Sequence, residues 1–281
     1  MDRHPVYRFF WLTTNILLIL AIASSIYGFV WEYSTRQYLR GFSDAVVPSG
    51  ADTTQKVEAI LAWMQHGPTR LTAQVPSELD TRDPRESLNF RQLLEVCGGA
   101  TNAFVNLAMS SGVSARRLLL LSPERTTMHV VAEVKMDGRW IVVDPGFHFI
   151  AKDNAGRYLT REDLQDPQVL QKVTAGLPGY LPTYNYTSTA HVRLSRIPMV
   201  GVFARKILDK VWPSWEESVN WTLLLERNSF AFFATSLLAV FFITCMRQLL
   251  GFYGSWALGV ERKRLHRQVW LAGTLLLGQQ R

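Results

Sequence analysis

Cysteine is scarce in this chain, with only Cys97 and Cys245 among 281 residues. Two cysteines so far apart exclude a scaffold held together by several disulfides. Together with six scattered histidines they give no zinc-ligand spacing, so we expect no metal site. The sequence also lacks a glycine-rich phosphate-binding loop, and we expect no cofactor.

Charged residues are few as well, at 19% of the chain, against 48% hydrophobic residues. This composition excludes a disordered chain and allows a packed core. The net charge of +7 is not laid out as a nucleic-acid footprint. Part of it lies beside apolar segments, where basic residues orient membrane proteins. We therefore expect membrane lipid, and no nucleic acid, as a partner.

Two long apolar runs predict membrane-spanning helices. The first run, residues 9–31, has 23 residues and no charged side chain, and a helix of this length can cross roughly 30 Å of hydrocarbon. Aromatic residues, Tyr27, Trp31 and Tyr33, lie at and just beyond the end of this run, where a signal peptide would have a small-residue cleavage site. This favours an uncleaved helix. The second run, residues 230–246, is bracketed by Arg227 and Arg247.

Basic residues after the second run predict the orientation. Arg247, Arg262, Lys263, Arg264 and Arg267 all follow it, which favours a cytoplasmic C-terminal end. Two spans then place the N-terminus on the cytoplasmic side too. The segment between the spans faces the periplasm or the cell exterior, in a protein of the bacterial inner (plasma) membrane.

These features predict the following organisation. We expect an N-terminal tail and first membrane helix at 1–31, a linker at 32–52, an outer α+β domain at 53–196, an amphipathic juxtamembrane segment at 197–228, a second membrane helix at 229–247 and a basic cytoplasmic tail at 248–281. Within 197–228, a helix near residues 196–212 either lies on the membrane or packs as an ordinary helix. The short apolar stretch 269–278 lies in the interface or belongs to a third span.

A β-hairpin is the clearest local structure of the outer domain. Two runs rich in β-branched residues flank Asp137 and Gly138, which favour a two-residue turn. Counting outward from a Met136–Arg139 pair makes His129 and Asp144 diagonal neighbours on one face, with Cβ atoms ~7–8 Å apart. An imidazole–carboxylate hydrogen bond is within that reach, although a slip of one residue would separate the pair.

Cys97 precedes two glycines and a predicted helix at about 100–110. A helix N-terminus and a nearby imidazole both lower a thiol pKa, and a carboxylate behind the ring completes a nucleophile, a base and an orienting group. Gly98 and Gly99 leave room for a substrate backbone, and the Cys97 N–H is placed to help hold an oxyanion. The alternative is that Cys97 is a small buried hydrophobic residue.

Three blocks, "VCGGATNAFVNLAMSSGVSAR", "HVVAEV" and "WIVVDP", resemble the transglutaminase-like superfamily, which shares the papain-type core. The resemblance covers about 53–146 and implies an α+β domain in which the cysteine-bearing helix packs on an antiparallel sheet. It implies that Cys97 is the nucleophile, His129 the general base and Asp144 its orienting group. Val131 and Ser114 depart from the family pattern, which often has Trp and Pro there.

Other residues are weaker candidates for a role in such a site. Gln92 and Asn89 are candidates for assisting the oxyanion, since no Trp or Gln is clearly placed for it. His148 competes with His129 as base, but it follows the turn at Pro145 and Gly146. His66 and His191 have no acidic residue at a spacing that predicts a pair, so we expect surface or structural roles for them.

The function expected from these residues is a membrane-anchored thiol enzyme, a cysteine protease or acyltransferase. It would act on amide or isopeptide bonds of envelope peptides or proteins through an acyl-enzyme, passing the acyl group to water or an amine. The alternative is a non-catalytic scaffold of the same fold in an envelope or surface-polymer assembly complex. The sequence does not identify the substrate or the partner proteins.

Overall fold

A computed structural model describes residues 4–67, 82–192 and 201–260. The chain divides into two compact units, residues 29–231 and a second unit made from 1–28 and 232–281. The first unit carries the sheet and its helices, and the second is helical wherever it is described, apart from a few terminal residues.

Two long helices account for the apolar runs. α1 spans Pro5–Val46 and α10 spans Asn228–Ala257, and both are long and apolar enough to cross a membrane. Within the helical unit they pack antiparallel, because Gly28 lies against Phe232 and Gly254 lies against Tyr7. Arg247 donates a hydrogen bond from Nε to Asn15 Oδ1 (2.8 Å), so its charge is held between the two helices.

Both helices extend beyond their predicted ends. The predicted linker at 32–52 is helical as far as Val46, because Leu39 is buried in the domain core and Tyr38 and Phe42 pack against that core. The second helix does not end at the predicted residue, 247, but continues to Ala257. Residues 248–257 are therefore helical and not part of the predicted tail. The basic residues used for orientation beyond Arg247, and the stretch 269–278, lie outside the described residues.

The unit of residues 29–231 confirms the predicted fold class, α+β with an antiparallel sheet and the cysteine-bearing helix packed on it. The strands found in the described residues are β1 Ala115–Leu121, β2 Thr127–Met136, β3 Arg139–Asp144, β4 Phe149–Ile150 and β5 Thr189–Ala190. They form one sheet in the order β4-β3-β2-β1-β5, with every pairing antiparallel. The remaining α-helices of this unit are α2 Thr53–His66, α3 Pro84–Asn89, α4 Arg91–Leu94, α5 Cys97–Ser110, α6 Pro167–Thr174, α7 Gly201–Val211, α8 Trp215–Ser218 and α9 Thr222–Glu226.

The first helix of the predicted domain begins where its sequence supplies a cap. Asp52 Oδ1 accepts a hydrogen bond from the Gln55 N–H (2.8 Å), and Gln55 Oε1 accepts one from the Asp52 N–H (3.0 Å). This reciprocal capping box satisfies two backbone donors and starts α2 at Thr53.

The hairpin has the predicted register. Met136 pairs with Arg139 and Ala132 pairs with Val143. Asp137 and Gly138 both have positive φ (48° and 79°), as a type I′ turn requires.

Both faces of the sheet are covered. Ala132, Val134, Ile141 and Val143 pack on one face against α2 and α5, in the main core. On the other face, Val131 and Val142 pack beneath Leu159, Leu164 and Tyr186. We did not predict this second core, because residues 159–186 show no sustained hydrophobic period.

Candidate active site

His129 and Asp144 form the buried polar pair predicted from the hairpin. His129 Nε2 lies 2.6 Å from Asp144 Oδ2, and both side chains are shielded from solvent. The second carboxylate oxygen, Oδ1, accepts hydrogen bonds from the backbone N–H groups of Gly146 (3.0 Å) and Phe147 (3.3 Å). The turn after β3 therefore fixes the carboxylate, and the carboxylate fixes the ring.

Cys97 is the first residue of α5 and is half-buried. The pKa of Cys97 is lowered, and the largest cause is the interaction of the thiol with the His129 side chain. Burial opposes the shift, while the His129 charge and backbone groups of Val130 and Gly98 add to it. Since Nε2 faces Asp144, the other ring nitrogen, Nδ1, is the one left for the sulfur.

The pKa of His129 moves in the opposite direction. Burial alone would lower it, but the hydrogen bonds to Asp144 and Cys97, with the charges of both groups, outweigh burial and raise it to about 9. A raised imidazole pKa beside a lowered thiol pKa favours a thiolate–imidazolium pair over a range of pH below about 9. The arrangement supplies an activated sulfur with a proton donor beside it.

The three glycines around Cys97 have different surroundings. A Cβ on Gly99 would lie 2.0 Å from the carbonyl oxygen of Leu93, so Gly99 lets α4 approach α5 and the space is filled by the chain itself. A Cβ on Gly98 would meet nothing within 4 Å, which leaves the first turn of α5 open on that side. A Cβ added to Gly146 would lie 3.7 Å from Cys97 Cα, so the backbone of Gly146 passes close to Cys97.

The two candidates for oxyanion assistance occupy different environments. Gln92 lies half-buried in α4, five residues before Cys97. Asn89 is turned towards α1, where its Oδ1 accepts a hydrogen bond from the Tyr38 hydroxyl (3.3 Å). A contribution of Gln92 to an oxyanion site stays a prediction, and so do the substrate-binding roles of Gly98 and Gly99.

An aromatic cluster covers the His129 ring, and sequence reasoning missed it. Tyr184 stacks on His129 with ring centroids 4.4 Å apart and planes 6° apart. Phe147 and Tyr180 meet the ring edge-on at 5.7 and 6.2 Å. Burial raises the pKa of Tyr184, and the charges of Cys97 and Asp144 raise it further, so its hydroxyl stays protonated near these groups.

The loop that brings Tyr184 to the site has no helical or strand period, which is why its position was not predictable. One signal was present: Tyr180, Tyr184 and Tyr186 fall within seven residues of a proline- and glycine-containing stretch. A solvent loop seldom needs so many aromatic side chains, because they contribute most when buried.

The competing histidine is not the partner of the carboxylate. Asp144 is hydrogen-bonded to His129, whereas His148 lies in the following turn with a positive φ of 54°. The pKa of His148 is lowered, mainly by burial and also by the nearby His66. The charge of Asp144 opposes this shift. Over the described ranges, no group of three His, Cys, Asp or Glu side chains is arranged to hold a metal ion.

Comparison with protein families agrees with this geometry. Residues 40–145 match the family model described as the transglutaminase-like superfamily, a range that contains Cys97, His129 and Asp144. No curated protein and no solved structure was found to match the chain. The segment 40–145 of this chain therefore forms a transglutaminase-like superfamily domain.

Proposed function

We propose that this protein is a membrane-anchored thiol enzyme that acts on amide or isopeptide bonds through an acyl-enzyme on Cys97. The observation that carries the proposal is the buried 2.6 Å contact of His129 with Asp144, and the same His129 side chain is the main cause of the lowered pKa of Cys97. A surface cysteine, or a cysteine with a purely structural role, does not require a buried pair such as His129 and Asp144 beside it.

The reaction follows from the protonation states of the pair. The Cys97 thiolate attacks the carbonyl carbon, a C–S bond forms, and the carbonyl electrons move onto oxygen as an oxyanion. We propose that the backbone N–H groups at the start of α5, which have no partner within the helix, stabilise that charge. The His129 imidazolium then gives its proton to the leaving amine as the C–N bond breaks, which leaves a thioester on Cys97.

The second half of the reaction restores the enzyme. Neutral His129 removes a proton from water or from an incoming amine, which attacks the thioester carbonyl and releases the Cys97 sulfur. Asp144 holds the His129 ring in place while the charge of the ring changes. Water gives hydrolysis and an amine gives transfer, and we propose envelope peptides or proteins as the acyl donors.

We further propose that the domain lies on the outer side of a bacterial plasma membrane. The antiparallel packing of α1 and α10 supports this topology, because it puts the ends near Tyr7 and Gly254 on one side of the pair. Arg247 and the basic residues that follow it favour the cytoplasm for that side.

Acylation by a generic donor tests the proposal directly. The purified full-length protein is treated with p-nitrophenyl acetate, and the adduct is located by intact-mass and peptide mass spectrometry. We expect one acetyl group on Cys97, with a burst of nitrophenol. Cys245→Ser is the matched control and should keep the adduct, whereas Cys97→Ser should lose it.

One observation favours the alternative, a non-catalytic scaffold: the stacked Tyr184 ring covers His129 on one side. A scaffold requires an unreactive Cys97 and a Cys97→Ser variant with full cellular function. Acylation confined to Cys97 contradicts the scaffold, and no acylation of Cys97, or equal acylation of Cys245, contradicts the enzyme.

A further inference from the structure

The helix α7 turns its charged side towards the protein. Arg205 donates from Nη2 to Glu216 Oε1 (2.5 Å) and forms an ion pair with Asp209 (3.5 Å). Asp209 Oδ1 in turn accepts a hydrogen bond from the indole N–H of the buried Trp215 (2.9 Å). These contacts dock the Arg205–Asp209 side of α7 on α8.

The opposite side of α7 is apolar and exposed. Phe203, Ile207 and Val211 are spaced four residues apart and are 66%, 45% and 77% exposed. At 100° per residue this stripe lies roughly 180° from the docked side. An ordinary surface helix buries its apolar stripe, whereas α7 leaves this stripe exposed and contacts the protein through Arg205 and Asp209.

The surroundings of this stripe indicate what covers it. Lys206 and Lys210 are exposed along one edge of the stripe, and Trp212 follows directly after the helix, also exposed. An apolar face with lysines at its edge and an aromatic residue at its end is typical of helices that lie in a lipid interface. Only residues 212–227 separate α7 from α10, which is long and apolar enough to span the membrane.

We propose that α7 docks on the surface of the membrane that α10 crosses, with the Phe203–Ile207–Val211 stripe in the interface and the two lysines on anionic lipid headgroups. The lysines favour anionic lipid over a purely apolar partner. The short connection to α10 keeps the helix close to a bilayer, so binding needs little additional ordering. This inference does not depend on the activity of Cys97.

Site-directed spin labelling of the full-length protein in lipid nanodiscs tests it. Both native cysteines are replaced by serine, and Ile207→Cys carries the label in discs containing anionic phosphatidylglycerol. Arg139→Cys, at the exposed turn between β2 and β3, is the control. We expect the ratio of oxygen accessibility to nickel-chelate accessibility to be several-fold higher at 207 than at 139.

Two changes should reduce that ratio at 207: the double variant Lys206→Glu/Lys210→Glu, and discs made of phosphatidylcholine alone. A measurement on the natural chain removes any dependence on the labelled variants: hydrogen exchange of α7 should be slower in anionic discs than in neutral ones. Equal nickel accessibility at 207 and 139 would overturn the proposal by placing the stripe in water. Shielding from both reagents would overturn it by indicating a protein partner or a second copy.

Discussion

At the residue scale, the reactivity of the site depends on whether the Cys97 thiol and the His129 ring are protonated. The pKa of Cys97 is lowered, mainly by its interaction with the His129 side chain. The pKa of His129 is raised to about 9, because its interactions with Asp144 and Cys97 outweigh the lowering effect of burial. The reactive form, thiolate with imidazolium, is therefore gained as pH rises through the thiol pKa. It is lost again as pH rises through about 9 and His129 gives up its proton.

Asp144→Asn should move the alkaline limit of activity to lower pH. The carboxylate raises the pKa of His129, so its removal leaves burial, which lowers that pKa, less opposed. We also expect a rate loss of about 10²–10⁴-fold, since the ring loses its orienting charge. The pH profile of nitrophenyl acetate turnover measures both effects, and an unchanged alkaline limit would contradict the role given to Asp144.

Tyr184→Ala should lower turnover by about 2- to 10-fold, because a stacked aromatic pair contributes ~0.5–1.5 kcal/mol to holding the ring. Tyr184→Phe keeps the ring and should retain most of the activity. The two variants are compared by kcat/KM and by thermal unfolding. Equal losses in both variants would mean that the hydroxyl, and not the stacked ring, is what matters.

At the scale of elements, the structure separates what local patterns specify from what they do not. The β2–β3 hairpin was predictable because Asp137 and Gly138 fix the turn and the turn fixes every pair, including the reach from His129 to Asp144. The helical course of 32–46 was not, because its contacts with the core join residues far apart in sequence. The Tyr184 loop was missed for the same reason.

The contact of α4 with α5 gives a test at this scale. Gly99→Ala should destabilise the domain by about 1–3 kcal/mol, because the new methyl group overlaps the Leu93 carbonyl. Gly98→Ala is the matched control: it has free space and should be neutral or stabilising by roughly 0.5–1 kcal/mol, as alanine favours a helix over glycine. Denaturant unfolding measures both, and similar stabilities would contradict the close approach of the two helices.

At the scale of the whole molecule, two apolar helices flank the segment that forms the transglutaminase-like domain. The positions of these two helices were predictable from uncharged length. Their ends were not, because a helix continues past the hydrocarbon wherever its residues still find partners.

The proposed topology predicts which residues a membrane-impermeant maleimide reaches in intact cells. With both native cysteines replaced by serine, Arg139→Cys should be labelled from outside, since the domain lies there. His4→Cys should be labelled only after the membrane is permeabilised. The reverse pattern would place the domain in the cytoplasm.

The central claim is that sulfur, imidazole and carboxylate act as one unit, and the pH dependence of Cys97 alkylation tests it most directly. In a Cys245→Ser chain, iodoacetamide reacts with Cys97 at a rate that reports its thiolate fraction. We predict a midpoint below the ordinary thiol pKa, and a shift upward towards that value in His129→Ala, because the bond to His129 is the main cause of the lowered pKa. The account would be contradicted if the Cys245→Ser chain had its alkylation midpoint at the ordinary thiol pKa and if His129→Ala left that midpoint unchanged.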